Sequence, residues 1–322
     1  MFRRLSMLFA AVALLAACSK EPAASPDNGD DQNRNELSFT YRSYTGAATY
    51  AEIALDPEKA VRDLDIWMFS GGVFVKQLAP GTDYTSTPNG VMTTVTMTQA
   101  FVDTYIGQTL VFYFVGNNAA STGGTHITSF AGTESEFADL LTSELADGAQ
   151  AGKAENIILA PSTGGLLMTG KSEPVMLFGK RTATIELKRR VARFDIVNPD
   201  PTNYRVAEIY ISDAKTQAAM FATGSGLAPI STRSLDITTG PATGDYDGTL
   251  ARCAFYLYPT DLATTEISME VEYIGAADGE KRMFSVADNS AAIDANKRYT
   301  LTLNPVSMTF TVGADGYDEG GI

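Results

Sequence analysis

Apolar and polar residues alternate along most of the chain. Leu37, Phe39 and Tyr41 fall on one side of an extended segment, and Ser38, Thr40 and Arg42 on the other. This is the period of a half-buried strand. Period-two or β-rich runs recur at 61–69, 91–98, 109–115, 182–197, 204–212, 253–258, 266–274 and 298–312. Clusters of Gly, Pro, Asn and Asp separate them, among them Pro80-Gly81-Thr82-Asp83 and the stretch 239–248. Many short strands with turn punctuation and no βαβ alternation predict antiparallel β-sandwiches. One helix interrupts the pattern: Thr133 can cap it, Glu136 completes a capping box, and Phe137, Leu140, Leu141 and Leu145 share a face. The expected division is an N-terminal sandwich over 36–179, which carries the helix, and a C-terminal sandwich over 180–322. No repeat of solenoid period is visible.

The first residues read differently. Arg3 and Arg4 precede an apolar run, Leu8 to Ala17, that ends in small residues. That is the layout of a secretory signal over residues 1–17, too short for a membrane span. Leu15-Ala16-Ala17-Cys18 resembles a bacterial lipobox, in which cleavage before Cys18 frees its thiol and amine for acyl chains such as palmitate. Each buried CH₂ of such chains contributes about 0.8 kcal/mol of membrane affinity. Residues 18–35 contain no large apolar side chain and are expected to be a disordered tether, because nothing there offsets the entropy of ordering. Of the two cysteines, Cys253 is then left without a partner for an internal disulfide and reads as a small buried apolar residue.

The formal charge is −14, and loss of Arg3 and Arg4 makes the remainder more acidic still. That argues against nucleic acid and against anionic membrane surfaces as partners.

The residues that could carry chemistry have simpler explanations. Gly165 to Gly170-Lys171-Ser172 has the spacing of a phosphate-binding P-loop, a motif that needs a helix starting at the Lys-Ser pair. Here Pro174 follows at once, then a strand-like Val175-Met176-Leu177-Phe178, so the match reads as a coincidence in a turn. His126 is the one histidine, so no His pair can ligate zinc, and no Gly-x-Ser-x-Gly elbow is present. It reads as an ordinary surface residue. Carboxylates are too plentiful for any chosen pair to suggest a glycosidase. Asp245-Tyr246-Asp247-Gly248 is either a fragment of a calcium loop or a plain Asp-Gly turn. Lys188, Arg189, Arg190 and Arg193 form one basic cluster, read as an internally paired set on a sheet rather than an anion site. Trp67 and Phe112-Tyr113-Phe114 are expected in the core. No enzyme activity and no cofactor are expected.

Several separated segments together resemble the fimbrillin (type V pilin) superfamily of Bacteroidota-type bacteria, including the Mfa-like fimbrial subunits. They are the lipobox, the strand at 37–42, Val61–Phe69, Leu166-Leu167-Met168-Thr169-Gly170 (similar to the family's Met-Thr-Gly turn), the Arg-rich strand 184–196, Phe255–Pro259 and Asn296–Leu303. Lys20-Glu21 is similar to surface-export signals of lipoproteins in these bacteria. The resemblance implies two transthyretin-like β-sandwich domains in an outer-membrane lipoprotein at the cell surface. It also implies proteolytic maturation after an Arg and assembly with other fimbrial subunits by strand exchange. Loss of the first strand (Leu37, Phe39, Tyr41) opens a groove that another subunit's strand fills.

Two features depart from the pattern. No Arg lies between Arg42 and Arg62, which makes those two the possible cleavage sites, one inside the first strand and one in the next. The last residues also lack an aromatic-terminated strand. The expected function is a structural or adhesive fimbrial subunit. An anchor or tip subunit, a monomeric surface lipoprotein binding host or bacterial glycan or protein, and, third, a carboxylate hydrolase stand as alternatives.

Overall fold

A computed structural model describes residues 35–43, 61–89, 92–119, 125–142, 166–221, 232–237, 250–274 and 279–315. Cys18, Leu145, Asp245 and Asp247 lie outside the described residues, as does the side chain of Cys253. The structure is mainly β, and its strands form two large sheets.

The first sheet contains β1 (Glu36–Ser43), β2 (Leu64–Ser70), β3 (Val73–Gln77), β4 (Tyr84–Asn89), β5 (Met92–Met97), β6 (Thr109–Gly116), β7 (Met168–Lys171), β8 (Val175–Met176) and β9 (Lys180–Arg189). Its order is β3-β2-β6-β7-β9-β1-β5-β4, with β8 paired to β6. The sheet curls. Phe39 of β1 packs edge-on against Phe112 and Phe114 of β6, ring centroids 4.9 and 5.2 Å apart, although the two strands are not neighbours in the sheet. Leu37, Phe39, Tyr41, Val95, Phe112, Phe114, Ile185 and Leu187 share one buried cluster inside this curl. The opposite face of β2 and β6 is also buried: Trp67, Phe69 and Tyr113 pack with Phe137, Met220 and Phe221.

The second sheet contains β10 (Ala192–Val197), β11 (Tyr204–Lys215), β12 (Thr232–Ile237), β13 (Leu250–Leu257), β15 (Glu266–Tyr273), β16 (Lys281–Val286), β18 (Arg298–Asn304) and β19 (Thr309–Asp315), in the order β12-β11-β15-β16-β19-β18-β10-β13. Two short strands, β14 (Thr260–Asp261) and β17 (Ala292–Ile293), pair with each other. Its own core centres on Phe194, stacked on Phe255 at 4.6 Å and on Tyr299 at 5.4 Å. The run 182–197, alternating throughout, is broken at 190–191, where the chain passes from one sheet to the other. β9, which starts at the expected division near residue 180, pairs inside the first sheet.

Two helices are described. α1 (Gln99–Tyr105) has no counterpart in the sequence reading; Thr98 caps it by accepting from the Phe101 N–H, and Phe101 lies 4.9 Å from Tyr105 one turn on. α2 (Glu134–Ala138) has the expected capping box at Thr133 and Glu136 and buries Phe137. It is shorter than its apolar spacing predicts. Asp139 ends it, and Leu141, 41% exposed, turns instead into a β-bridge with Ala219. Pairing to a distant segment has overridden local helical periodicity there.

Candidate functional site

β1 is the element on which the sequence reading converges. It runs parallel to β9 over eight register pairs, from Glu36↔Lys180 to Ser43↔Leu187, and antiparallel to β5 over five, from Ser38↔Thr96 to Arg42↔Met92. Both of its hydrogen-bonding edges are therefore engaged. Leu37 and Phe39 are fully buried and Tyr41 nearly so. At roughly 1.5–3 kcal/mol for each large apolar side chain taken from water, these three anchor the strand. Burial also pushes the Tyr41 phenol above its ordinary range, against a smaller opposing effect of its hydrogen bond to Thr93. On the other face, Ser38 and Thr182 hydroxyls meet at 3.0 Å. The start of the strand is clipped: the Glu36 N–H donates to the Gly179 carbonyl, and the Gly179 N–H donates to Asn35 Oδ1 at 2.6 Å.

The two arginines named as cleavage positions stand differently. Arg42 pairs through its backbone within β1. Arg62 is exposed and lies ahead of β2 rather than inside it, because β2 begins at Leu64; its N–H donates to Asn117 Oδ1 at 2.7 Å.

The P-loop look-alike is a strand, not a turn. Leu166, Leu167 and Met168 are buried, and Thr169 to Lys171 continue β7 between β6 and β9. Among the described residues no helix starts at Lys171; its ammonium pairs with Glu134 at 2.8 Å and sits 5.0 Å from the Tyr113 ring centre. Gly170 is required by packing. A Cβ there would stand 2.6 Å from the Glu186 carbonyl oxygen of β9. Beside this segment runs a groove of about 920 Å³, lined by Tyr113, Lys171, Glu173, Glu186, Lys188 and Arg190 among others, which the sequence did not announce.

The basic cluster is buried rather than displayed on a sheet surface. Arg189, Arg190 and Arg193 are at most 1% exposed, and only Lys188 faces solvent. Arg193 pairs with Asp195 at 2.7 Å, Arg189 donates to Asn296, and Arg190 donates to the Lys188 carbonyl. Desolvation holds the Arg190 guanidinium down at about 10. His126 is half-buried, not an ordinary surface residue, and desolvation pushes it down to about 4. Trp67 is in the core as expected, its indole N–H without an acceptor.

No family model matches the chain, and no curated protein resembles it in sequence. Solved structures resemble it in fold. The tip fimbrial protein Mfa3 of Porphyromonas gingivalis superposes with a TM-score of 0.51 at 12% identity, covering 87% of this chain and 98% of that one. A candidate cell adhesion protein from Bacteroides eggerthii gives 0.50 at 16% identity, covering 91% of each chain. The chain has the fold of the Mfa-like fimbrial proteins. Within that fold β1 is held on both edges, by β9 and by β5.

Proposed function

We propose that the chain is a structural or adhesive subunit of a bacterial cell-surface fimbria, one sandwich domain built on each sheet, assembled with other subunits by strand exchange at β1. Export as an outer-membrane lipoprotein, acylated at Cys18, belongs to the same reading. The observation that carries the proposal is the position of β1 between β9 and β5. A central strand, if withdrawn, leaves two facing rows of unpaired N–H and C=O groups above an apolar floor. Such a gap is costly to leave open and accepts another extended chain.

Limited trypsin treatment tests this. Cleavage at Arg42 or Arg62, followed by loss of β1, should give a product that oligomerises with concentration, and a peptide of residues 36–46 should block the oligomers by refilling the gap. A trimmed protein that stays monomeric at high concentration without the peptide overturns strand exchange. A second reading, a terminal subunit that is not matured in this way, is favoured by the absence of Arg between Arg42 and Arg62. It predicts that β1 stays attached under the same treatment.

A further inference from the structure

The run Val175–Phe178 is apolar throughout. Leu177 is buried inside the curl of the first sheet and Val175 packs partly against that core, so Met176 and Phe178 point the other way. Solvent-side positions of such a segment normally carry polar residues; here Phe178 is 66% exposed and Met176 55%. Ile106, 45% exposed, joins them. The Gly107 N–H next to it donates to the Leu177 carbonyl at 2.8 Å, and the Leu177 N–H donates to the Gln108 carbonyl at 3.0 Å. Three large apolar side chains thus gather around one pair of backbone hydrogen bonds. Single exposed apolar residues are ordinary, but a cluster of them on a rigid support marks a contact surface.

The place of the cluster says what it meets. Phe178 precedes Gly179, the residue that clips the start of β1 through Glu36 and Asn35. The chain therefore enters the first sheet beside the apolar cluster. Residues 19–34 are all that separates this point from Cys18. A flexible chain of that length has an end-to-end distance of roughly 20–25 Å, shorter than the span of about 50 Å across a folded body of this size. With Cys18 acylated, the end of the sheet that carries Ile106, Met176 and Phe178 is the end held toward the bilayer. Cations stand beside it. Lys180 is exposed, its ammonium 3.5 Å from a Glu36 carboxylate oxygen, and Arg181 is exposed too. Apolar side chains flanked by Lys and Arg suit the boundary between acyl chains and phosphate headgroups.

We propose that Ile106, Met176 and Phe178 form a membrane-contact patch, which inserts into the headgroup region of the bilayer that carries the acyl chains of Cys18. The patch rests on the reading of Cys18 as acylated and is independent of strand exchange. The net charge of −14 leaves apolar insertion, rather than attraction to anionic lipid, as the driving force, so a zwitterionic surface is sufficient. Contact through the patch keeps the start of β1 against the membrane for as long as that strand remains in the sheet.

The test uses the acylated protein reconstituted into vesicles of phosphatidylcholine that contain brominated phosphatidylcholine as quencher. Phe178→Trp places a fluorophore in the patch, Val306→Trp places one on the exposed 305–308 turn of the second sheet, and the wild-type chain with its buried Trp67 gives the background. Emission from Phe178→Trp should shift to the blue and be quenched about threefold more strongly than that from Val306→Trp. Adding Ile106→Ser and Met176→Ser should return it to the Val306→Trp level, with circular dichroism checking that each variant folds. Equal quenching of Phe178→Trp and Val306→Trp, in protein whose mass shows acyl chains on Cys18 and which floats with the vesicles, overturns the patch and leaves acylation standing. Protein without acyl mass at Cys18 overturns both. A blue shift that needs no lipid and grows with protein concentration overturns the patch in favour of a second copy of the chain as its cover.

Discussion

Replacing Phe39 with alanine should unfold the first sheet more readily than any conservative change on the other face of β1. The side chain is fully buried and makes edge-on contacts with both Phe112 and Phe114. Phe→Ala at such a site costs about 3–5 kcal/mol, of which each aromatic contact accounts for about 0.5–1.5. Both strands beside β1 are long-range partners, so the surroundings have little freedom to collapse into the hole, and the upper half of that range is expected. Thr40→Ala, on the half-buried opposite face, should cost less than about 1 kcal/mol. The assay is urea unfolding followed by intrinsic fluorescence, because the one tryptophan, Trp67, lies buried in β2 of the same sheet. With a slope of roughly 1–3 kcal/mol per molar urea, the Phe39→Ala midpoint should fall by about 1.5 M or more. A loss below about 1 kcal/mol, or equal losses in the two variants, would refute the packing on which the role of β1 rests.

Three further outcomes follow from the geometry. Gly170→Ala forces β7 away from the Glu186 carbonyl and should cost about 1–3 kcal/mol, read as a lower melting temperature by Trp67 fluorescence; an unchanged melt would refute the close approach. Arg193→Ala removes the 2.7 Å partner of buried Asp195, with Arg298 standing off at 4.0 Å, and should cost about 3–5 kcal/mol in chemical denaturation, against less than about 1 for Lys281→Ala at its exposed pair. His126, pushed down to about 4 by burial, is neutral in the fold above that pH. Its folded value lies below the ordinary 6.5, so its contribution to stability is complete above about pH 6.5 and is lost as pH falls toward about 4. The NMR titration of this single histidine ring should have its midpoint near 4, and a midpoint near 6.5 would sink the argument.

What the sequence reveals depends on how local the deciding contact is. The faces of β1 and the capping box of α2 are set within a few residues, and both are legible. Arg193 and Asp195 are two residues apart and so share one side of β10, which makes their pairing legible too. Gly170 is different: its need for a missing side chain comes from Glu186 on another strand, and no spacing rule contains that distance. The depth of Arg189 depends on Asn296, brought in by the second sheet. The break at 190–191 is invisible because β9 and β10 alternate alike, and only their partners, β1 and β18, separate them.

The partners of β10 also sharpen the case for β1. β10 lies between β18, parallel, and β13, antiparallel, as β1 lies between β9, parallel, and β5, antiparallel. The two sheets thus repeat one arrangement around their leading strand, each with an aromatic residue, Phe39 or Phe194, buried at its centre. Packing alone would make either strand exchangeable. Connectivity separates them. β10 is tied covalently at both ends, to β9 through 190–191 and onward to β11, so two cuts are needed to free it. No described strand precedes β1, and its hold within the sheet is its hydrogen bonds and three apolar side chains. Those contacts are reproducible by any chain with the same alternation, which is the condition exchange requires.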